Sequence, residues 1–161
     1  MNKNSKNQFT VWHEALLKFL RRTITTGNVF LLKISGGRWG NAFLGVPVLL
    51  LTTVGRKSGK LRTRPLYYLE LDDGRYVLVA SNAGTTTDPA WLLNLSANPQ
   101  VQVEVRGHKH SMLAHIASDE EKSVLWPLLL NLFPTWQMME ERSVRKFKIV
   151  ILEPQDDNAS P

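Results

Sequence analysis

The chain has no cysteine, which excludes disulfide frameworks, thiolate metal sites and cysteine nucleophiles together. It also lacks any apolar run near the roughly 20 residues that a membrane-crossing helix needs, and its first residues lack the unbroken apolar stretch of a secretory leader. The sequence therefore predicts a cytoplasmic protein. Acidic residues are missing from a long stretch: between Ala15 and Leu69 there are ten Lys or Arg and no Asp or Glu. With a net charge of +6 concentrated in that half, an anionic partner is the natural inference, and a merely solvated basic face is the alternative.

Several catalytic signatures are absent as well. Gly55 to Lys60 has the outline of a phosphate loop, but Val54 occupies the position of the required first glycine and Leu61 that of the magnesium-binding Ser or Thr. Gly36, Gly37 and Gly40 do not have dinucleotide-fingerprint spacing, and there is no G-x-S-x-G nucleophile elbow. His108 and His110 lie two apart without a third ligand nearby, so no metal site is expected; His13 and His115 read as packing or surface residues.

What is present is the material of one domain. At 161 residues and 43% hydrophobic content, the chain can bury a full core. Residues 1–9 and 155–161 read as polar tails around a single domain over 10–154. Trp12, Leu16, Phe19 and Leu20 recur at helical spacing among basic residues, predicting an amphipathic helix over 10–22 that either packs on the domain or touches an anionic membrane surface. The centre of the chain is Pro47 to Tyr68. An apolar strand over 48–54 enters Gly55-Arg56-Lys57-Ser58-Gly59, and a second strand returns through Leu61, Arg62 and Arg64 to Tyr67. Five cations (Arg56, Lys57, Lys60, Arg62, Arg64) fall at the tip of this hairpin, where glycines let an anion approach the main chain.

Beyond it, strands over 66–71 and 75–80 close around Asp72-Asp73-Gly74. A small polar loop follows from Ser81, and Asp88-Pro89 predicts a capped helix over 89–97. Alternation of Val101, Val103 and Val105 with polar residues gives a half-buried strand, returned by a strand over 109–117. Ser118 and Glu121 have capping-box spacing ahead of a helix to about Leu132, bent or broken at Pro127. A short helix over 137–144 and a last strand over 146–152 complete the domain. About six strands joined mostly by hairpins favour an antiparallel α+β barrel or sheet. The basic tip, the small polar residues Ser81 and Asn82, and the aromatics Tyr67, Tyr68, Trp91 and Trp136 suit a planar anionic ligand, either a flavin-like cofactor or a nucleic acid. Trp126 reads as core.

The runs L-L-T-T-V-G-R-K-S-G-K-L-R-T-R-P-L-Y-Y, V-A-S-N-A-G, D-P-A-W-L-L-N-L-S-A-N-P-Q-V, W-P-L-L-L-N-L-F-P and V-I-L-E-P occur here in order. Together they closely resemble the deazaflavin-dependent nitroreductase family of oxidoreductases, over residues 30–154. The resemblance implies a split β-barrel that binds coenzyme F420, a hydride carrier with a phosphate and an anionic tail; FMN, used by related split barrels, is the alternative cofactor. By position it implies phosphate and tail contacts at Arg56, Lys57, Ser58 and Arg62. It implies a ring-side wall at Pro65 and Tyr67, a ring loop at Ala80, Ser81, Asn82 and Ala83, and further cofactor contacts at Trp91 and Asn94.

On the substrate side the resemblance brings Phe133, Trp136 and Met139 to positions where the nitroimidazole-reducing members carry tyrosines. Loss of three hydroxyls disfavours bicyclic nitroimidazoles and favours an apolar electron acceptor such as a quinone, an enone or a nitroaromatic. Ser81 is the candidate catalytic residue, with solvent or the coenzyme as other proton sources. The implied partners are a small-molecule electron acceptor and, as in many split barrels, a second copy of the chain. A non-catalytic carrier of a flavin, fatty acid or similar anion is the alternative function, and a nucleic-acid binder ranks below it because the aromatics follow the basic tip and do not interleave with it.

Overall fold

The computed structural model describes residues 42–43 and 46–155. The helix expected over 10–22 and residues 156–161 of the expected C-terminal tail lie outside them. The described elements are β1 (Ala42–Phe43), β2 (Val46–Val54), β3 (Leu61–Glu70), β4 (Tyr76–Val79), α1 (Ala90–Ala97), β5 (Gln100–Val105), β6 (His108–Ile116), α2 (Asp119–Leu132), α3 (Thr135–Glu141) and β7 (Ile149–Pro154). Every pairing is antiparallel. The sheet runs β1-β2-β3-β4-β7-β6-β5, and β2 also pairs with β5. That second pairing closes six strands into a barrel, the split-barrel α+β fold, with β1 as a short annex on β2.

The period of two in the strands sorts the core into two layers. Inside the barrel lie Leu49, Leu51, Tyr68, Tyr76, Leu78, Val101, Val103, Val105, Met112, Ala114, Val150 and Leu152, with Trp91, Leu92 and Leu95 of α1 packed among them. The alternate residues of β4 and β7 (Val77, Val79, Ile149, Ile151) face outward and bury against Leu125 and Leu129 of α2, Trp136 of α3, and Phe147. The barrel is thus apolar on both faces where helices cover it.

Local chemistry sets the element ends. Ser118 Oγ accepts from the Glu121 N–H at 3.2 Å while the Glu121 carboxylate accepts from the Ser118 N–H at 2.8 Å, which is the capping box expected for α2. α2 continues through Pro127. Pro127 is exposed, so water can reach the Ser123 carbonyl that loses its helical donor. α3 starts at Thr135, two residues before expectation, because Pro134 itself is right-handed and serves as N-cap. The last strand starts at Ile149, later than expected. Phe147 N–H donates to the Glu140 carboxylate at 2.7 Å and its carbonyl accepts from Lys122 Nζ at 2.7 Å, so side chains take the backbone groups that a ladder would have used.

The β2–β3 hairpin is continuous from Val54↔Leu61 to Val48↔Tyr67, and the two strand pieces read separately over 61–71 are one strand. Gly59 has φ +65°, a conformation that L side chains rarely adopt. Gly55 is needed for space: a Cβ there would lie 2.9 Å from Ser58 Oγ and 3.1 Å from the Lys60 carbonyl oxygen. The tip is clamped to α1 by Asn94, which is 6% exposed. Its Oδ1 accepts from the Arg56 N–H at 3.2 Å and its Nδ2 donates to Thr53 Oγ1 at 3.1 Å.

Two stability effects are expected. Asn94→Ala leaves the Arg56 N–H and the buried Thr53 hydroxyl without these partners and should cost about 1–3 kcal/mol in urea unfolding. It should also speed tryptic cutting after Arg56 or Lys57; wild-type stability and wild-type cutting would remove the clamp. Ser118→Ala should cost about 1 kcal/mol, with Ser118→Asp retaining most of the stability.

Candidate active site

Two recesses open along β3. The first, of about 230 Å³, is lined by Thr53, Gly55, Arg56, Lys57, Ser58, Arg62, Arg64, Ala90, Trp91 and Asn94. The second, of about 190 Å³, is lined by Val48, Pro65, Leu66, Tyr67, Val79, Ser81 and Trp136. One is cationic and the other apolar with a few hydroxyls. They are adjacent along the strand: Arg64 lines the first and Pro65 the second, consecutive positions on opposite faces of β3.

Four cations, Arg56, Lys57, Arg62 and Arg64, line the first recess, and Lys60 stands beside them in the turn; several other cations of the described chain meet carboxylates. Arg75 meets Asp73 at 2.8 Å, Arg106 meets Glu70 at 3.2 Å and Arg145 meets Asp88 at 3.1 Å. Among the described residues, Arg56, Lys57, Lys60, Arg62 and Arg64 have no carboxylate partner within 4.0 Å. Clustered like charges without counter-charges are held at an electrostatic cost. Such a cluster suits an anion that replaces the missing carboxylates, and the arginines can meet phosphate or carboxylate oxygens in bidentate fashion.

In the second recess the walls are aromatic. The Tyr67 ring centroid lies 5.1 Å from that of Phe133 and 6.3 Å from that of Trp136, and Phe133 and Trp136 are 5.3 Å apart in an edge arrangement. Such tilted contacts fix the ring planes. Burial raises the Tyr67 phenol above its ordinary value, so it remains a neutral hydroxyl at neutral pH.

The loop after β4 supplies Ser81 to this wall in an uncommon backbone conformation. Ser81 is right-handed (φ −70°, ψ −31°), and the next three residues, Asn82, Ala83 and Gly84, have φ of 47°, 53° and 76°. Two consecutive non-glycine residues there cost free energy unless the surroundings hold them. Arg145 does so: Nη1 donates to the Ala80 carbonyl at 3.0 Å, Nη2 to that of Ser81 at 2.7 Å and Nε to that of Thr85 at 3.0 Å. Asp88 Oδ1 accepts from the same guanidinium at 3.1 Å and Oδ2 from Lys148 Nζ at 2.9 Å. Asp88 was expected to cap α1. It does not, because this ion pair takes its carboxylate, and the α1 N-cap is Pro89 with no side-chain hydrogen bond.

The expected site residues fall into groups. Arg56, Lys57, Ser58, Arg62, Trp91 and Asn94 meet at the first recess, and Pro65, Tyr67, Ser81 and Trp136 at the second. Trp91 and Asn94 are buried, and the Asn94 amide is committed to the hairpin clamp. Ala80 is wholly buried among the barrel core, and the Asn82 side chain donates back to the Thr87 carbonyl at 3.0 Å. Phe133 stands behind Tyr67 and Trp136, and Met139 packs under Gly84, whose added Cβ would lie 3.8 Å from the Met139 Cβ. Thr53, Val48, Val79 and Arg145 were missed, and Arg64 was read as part of the basic tip but not among the named cofactor contacts. Strand period would have found Arg64, two residues from Arg62, and the pairing Val48↔Tyr67 places Val48; Arg145 carries no such local signal.

Comparison with known proteins places the chain in a family. The F420H(2)-dependent quinone reductase family model matches residues 26–154. The F420H(2)-dependent quinone reductase Rv1261c of Mycobacterium tuberculosis is 32% identical over 125 residues, 73% of this chain and 81% of that protein. The structure of an F420-H2 dependent reductase, FDR-A, superposes with a TM-score of 0.61 at 33% identity, covering 66% of this chain and 94% of that one. A domain-swapped dimer superposes with a TM-score of 0.64 at 28% identity, covering 88% and 98%. The chain belongs to the F420H(2)-dependent quinone reductase family, a family of F420-linked hydride-transfer oxidoreductases.

Proposed function

We propose that the chain binds reduced F420 across both recesses and delivers its hydride to an apolar electron acceptor of the quinone, enone or nitroaromatic class. The observation that carries this reading is a recess lined by four cations, none with a carboxylate partner among the described residues, whose strand β3 also lines an aromatic-walled recess. The donor set fits the cofactor. Arg56, Lys57, Ser58 and Arg62, with Arg64 beside them, would hold a phosphate and a carboxylate-bearing tail, while Pro65, Tyr67 and the Ala80–Ala83 loop would flank a planar ring. When bound, the coenzyme supplies the hydride chemistry. FMN brings one phosphate to the same recess and leaves most of those cations without an anion, which favours F420.

The chain's own residues would grip, orient and exclude water. Trp91 and Asn94 stiffen the cationic recess from beneath, so its charges are held before the ligand arrives. Trp136, backed by Phe133 and Met139, would form the dry wall on which the acceptor sits. Ser81 is the hydroxyl assigned to hydrogen-bond the acceptor oxygen as it gains charge. By extension from the related domain-swapped dimer, the assembly proposed is a homodimer. A contact with the inner membrane face through the helix expected over 10–22 rests on residues outside those described.

Titration of the purified protein with oxidised F420, with FMN alongside, should show micromolar or tighter binding that prefers F420. Arg56→Ala with Lys57→Ala should weaken it at least about tenfold, since each charge-assisted contact contributes on the order of 1.5–3 kcal/mol. Binding of neither cofactor would leave the fold standing and move the function to a carrier of another anion; binding of nucleic acid that falls steeply with salt would point away from both. For the acceptor wall, Trp136→Ala should raise the KM for menadione severalfold while F420 affinity changes by less than about threefold. An unchanged menadione KM would remove Trp136 from the acceptor site.

A further inference from the structure

Arg145 makes more hydrogen bonds than stabilising its own segment requires, and their targets are specific. Two successive carbonyls, those of Ala80 and Ser81, are turned toward its Nη1 and Nη2 at 3.0 and 2.7 Å. No cis peptide is present among the described residues, and in a trans peptide the N–H points opposite to the carbonyl of the preceding residue. The N–H groups of Ser81 and Asn82 therefore point away from the guanidinium. Among the described residues neither has an intramolecular acceptor. Ser81 in the right-handed region followed by Asn82 in the left-handed region is the backbone sequence of an anion-accepting nest, in which successive N–H groups converge. Ser81 lies on the wall of the apolar recess.

We propose that Arg145 is a positioning residue that rotates these peptide planes, so that the Ser81 and Asn82 N–H groups form a nest for a partly negative oxygen or ring nitrogen of the ligand in the apolar recess. This rests on the reading that a planar coenzyme ring occupies that recess. The nest places positive dipole density at one edge of the ring without adding a side-chain charge. That suits a ring which must accept and release electron density. Asp88 completes the device: it holds Arg145 with an ion pair at 3.1 Å on a side chain only 14% exposed, and Lys148 neutralises its other oxygen. A lysine could not replace the arginine, because one ammonium cannot present three donors in a plane to the carbonyls of Ala80, Ser81 and Thr85.

The experiment has two arms. In the ligand-free protein, Arg145→Met should speed hydrogen exchange of the Gly84 and Thr85 amides, which donate to the Ser81 and Asn82 carbonyls, by at least about tenfold, leaving those of β2 and β3 unchanged. Arg145→Lys should do the same to a smaller degree, and millimolar guanidinium chloride should slow exchange in Arg145→Met but not in wild type. In the second arm, F420 affinity is measured by fluorescence. Ser81 has a φ of −70° that proline can adopt, so Ser81→Pro deletes the N–H and the hydroxyl while Ser81→Ala deletes the hydroxyl alone. Ser81→Pro should weaken binding by roughly tenfold and Ser81→Ala by less than threefold. Arg145→Met combined with Ser81→Pro should be no worse than the weaker-binding single variant. Wild-type exchange in both Arg145 variants, wild-type affinity in Ser81→Pro, or losses that multiply in the double variant would overturn the proposal. Failure of the wild-type protein to bind F420 would defeat the cofactor reading instead, and the exchange arm would still judge Arg145.

Discussion

Strand β2 is hydrogen-bonded along both edges, to β3 through Val48–Val54 and to β5 through Leu50–Thr52. That double pairing closes the barrel, and it also decides where the charge goes. Leu49 and Leu51 point into the apolar interior, and Thr53, two residues on along the same face, is buried at the barrel's end, where Asn94 answers its hydroxyl. The chain must then turn outside the closed cylinder. The cations that follow Gly55 stand beyond the last layer of core, exposed yet fixed by the barrel rim. A register slip of one residue on β2 would reverse every side chain and send Leu49 and Leu51 outward, so the barrel core and the position of the cationic recess are specified by the same pairing.

Much of this was readable in the residues because the causes are local. Alternation at Val101, Val103 and Val105, the glycines at the hairpin tip, and the spacing of Ser118 and Glu121 each act within a few positions, and each element appears where its cause lies. The basic cluster was equally visible, since its cations are neighbours in sequence. The missing information was long-range. Arg145 sits in a basic run between Arg142 and Lys148 and resembles solvated surface, yet its carbonyl partners lie about sixty residues earlier. Asp88 before Pro89 has the local form of a helix cap, and a distant ion pair overrides it. The late start of β7 has the same origin, as Glu140 and Lys122 occupy the backbone of Phe147.

The two recesses also differ in how they are built. The cationic one is mostly β2–β3 and its turn, with α1 beneath, so it depends on one hairpin and one asparagine. The apolar one takes walls from β2, β3, β4, the loop at Ser81 and α3. The first therefore has a fixed shape that suits a constant part of a ligand, whereas the second can change with the identity of residues on α3 without disturbing the barrel pairing.

Glu140 limits that independence. Its carboxylate, only 10% exposed, joins Lys122 of α2 at 3.1 Å and the Phe147 N–H at 2.7 Å, and Phe147 in turn lies under the Arg145 guanidinium, 5.0 Å from its ring centroid. The Trp136 wall on α3 and the clamp on the Ser81 loop are therefore linked through Glu140, Phe147 and Arg145. On the proposed reading, a mutation that tilts α3 to admit a bulkier acceptor would also drag the arginine that holds the loop, so a change of substrate range would carry a built-in penalty in how the ring is gripped. Diversification of the pocket is easiest through side-chain size at Phe133, Trp136 and Met139, and hardest through movement of the helix that carries Trp136 and Met139.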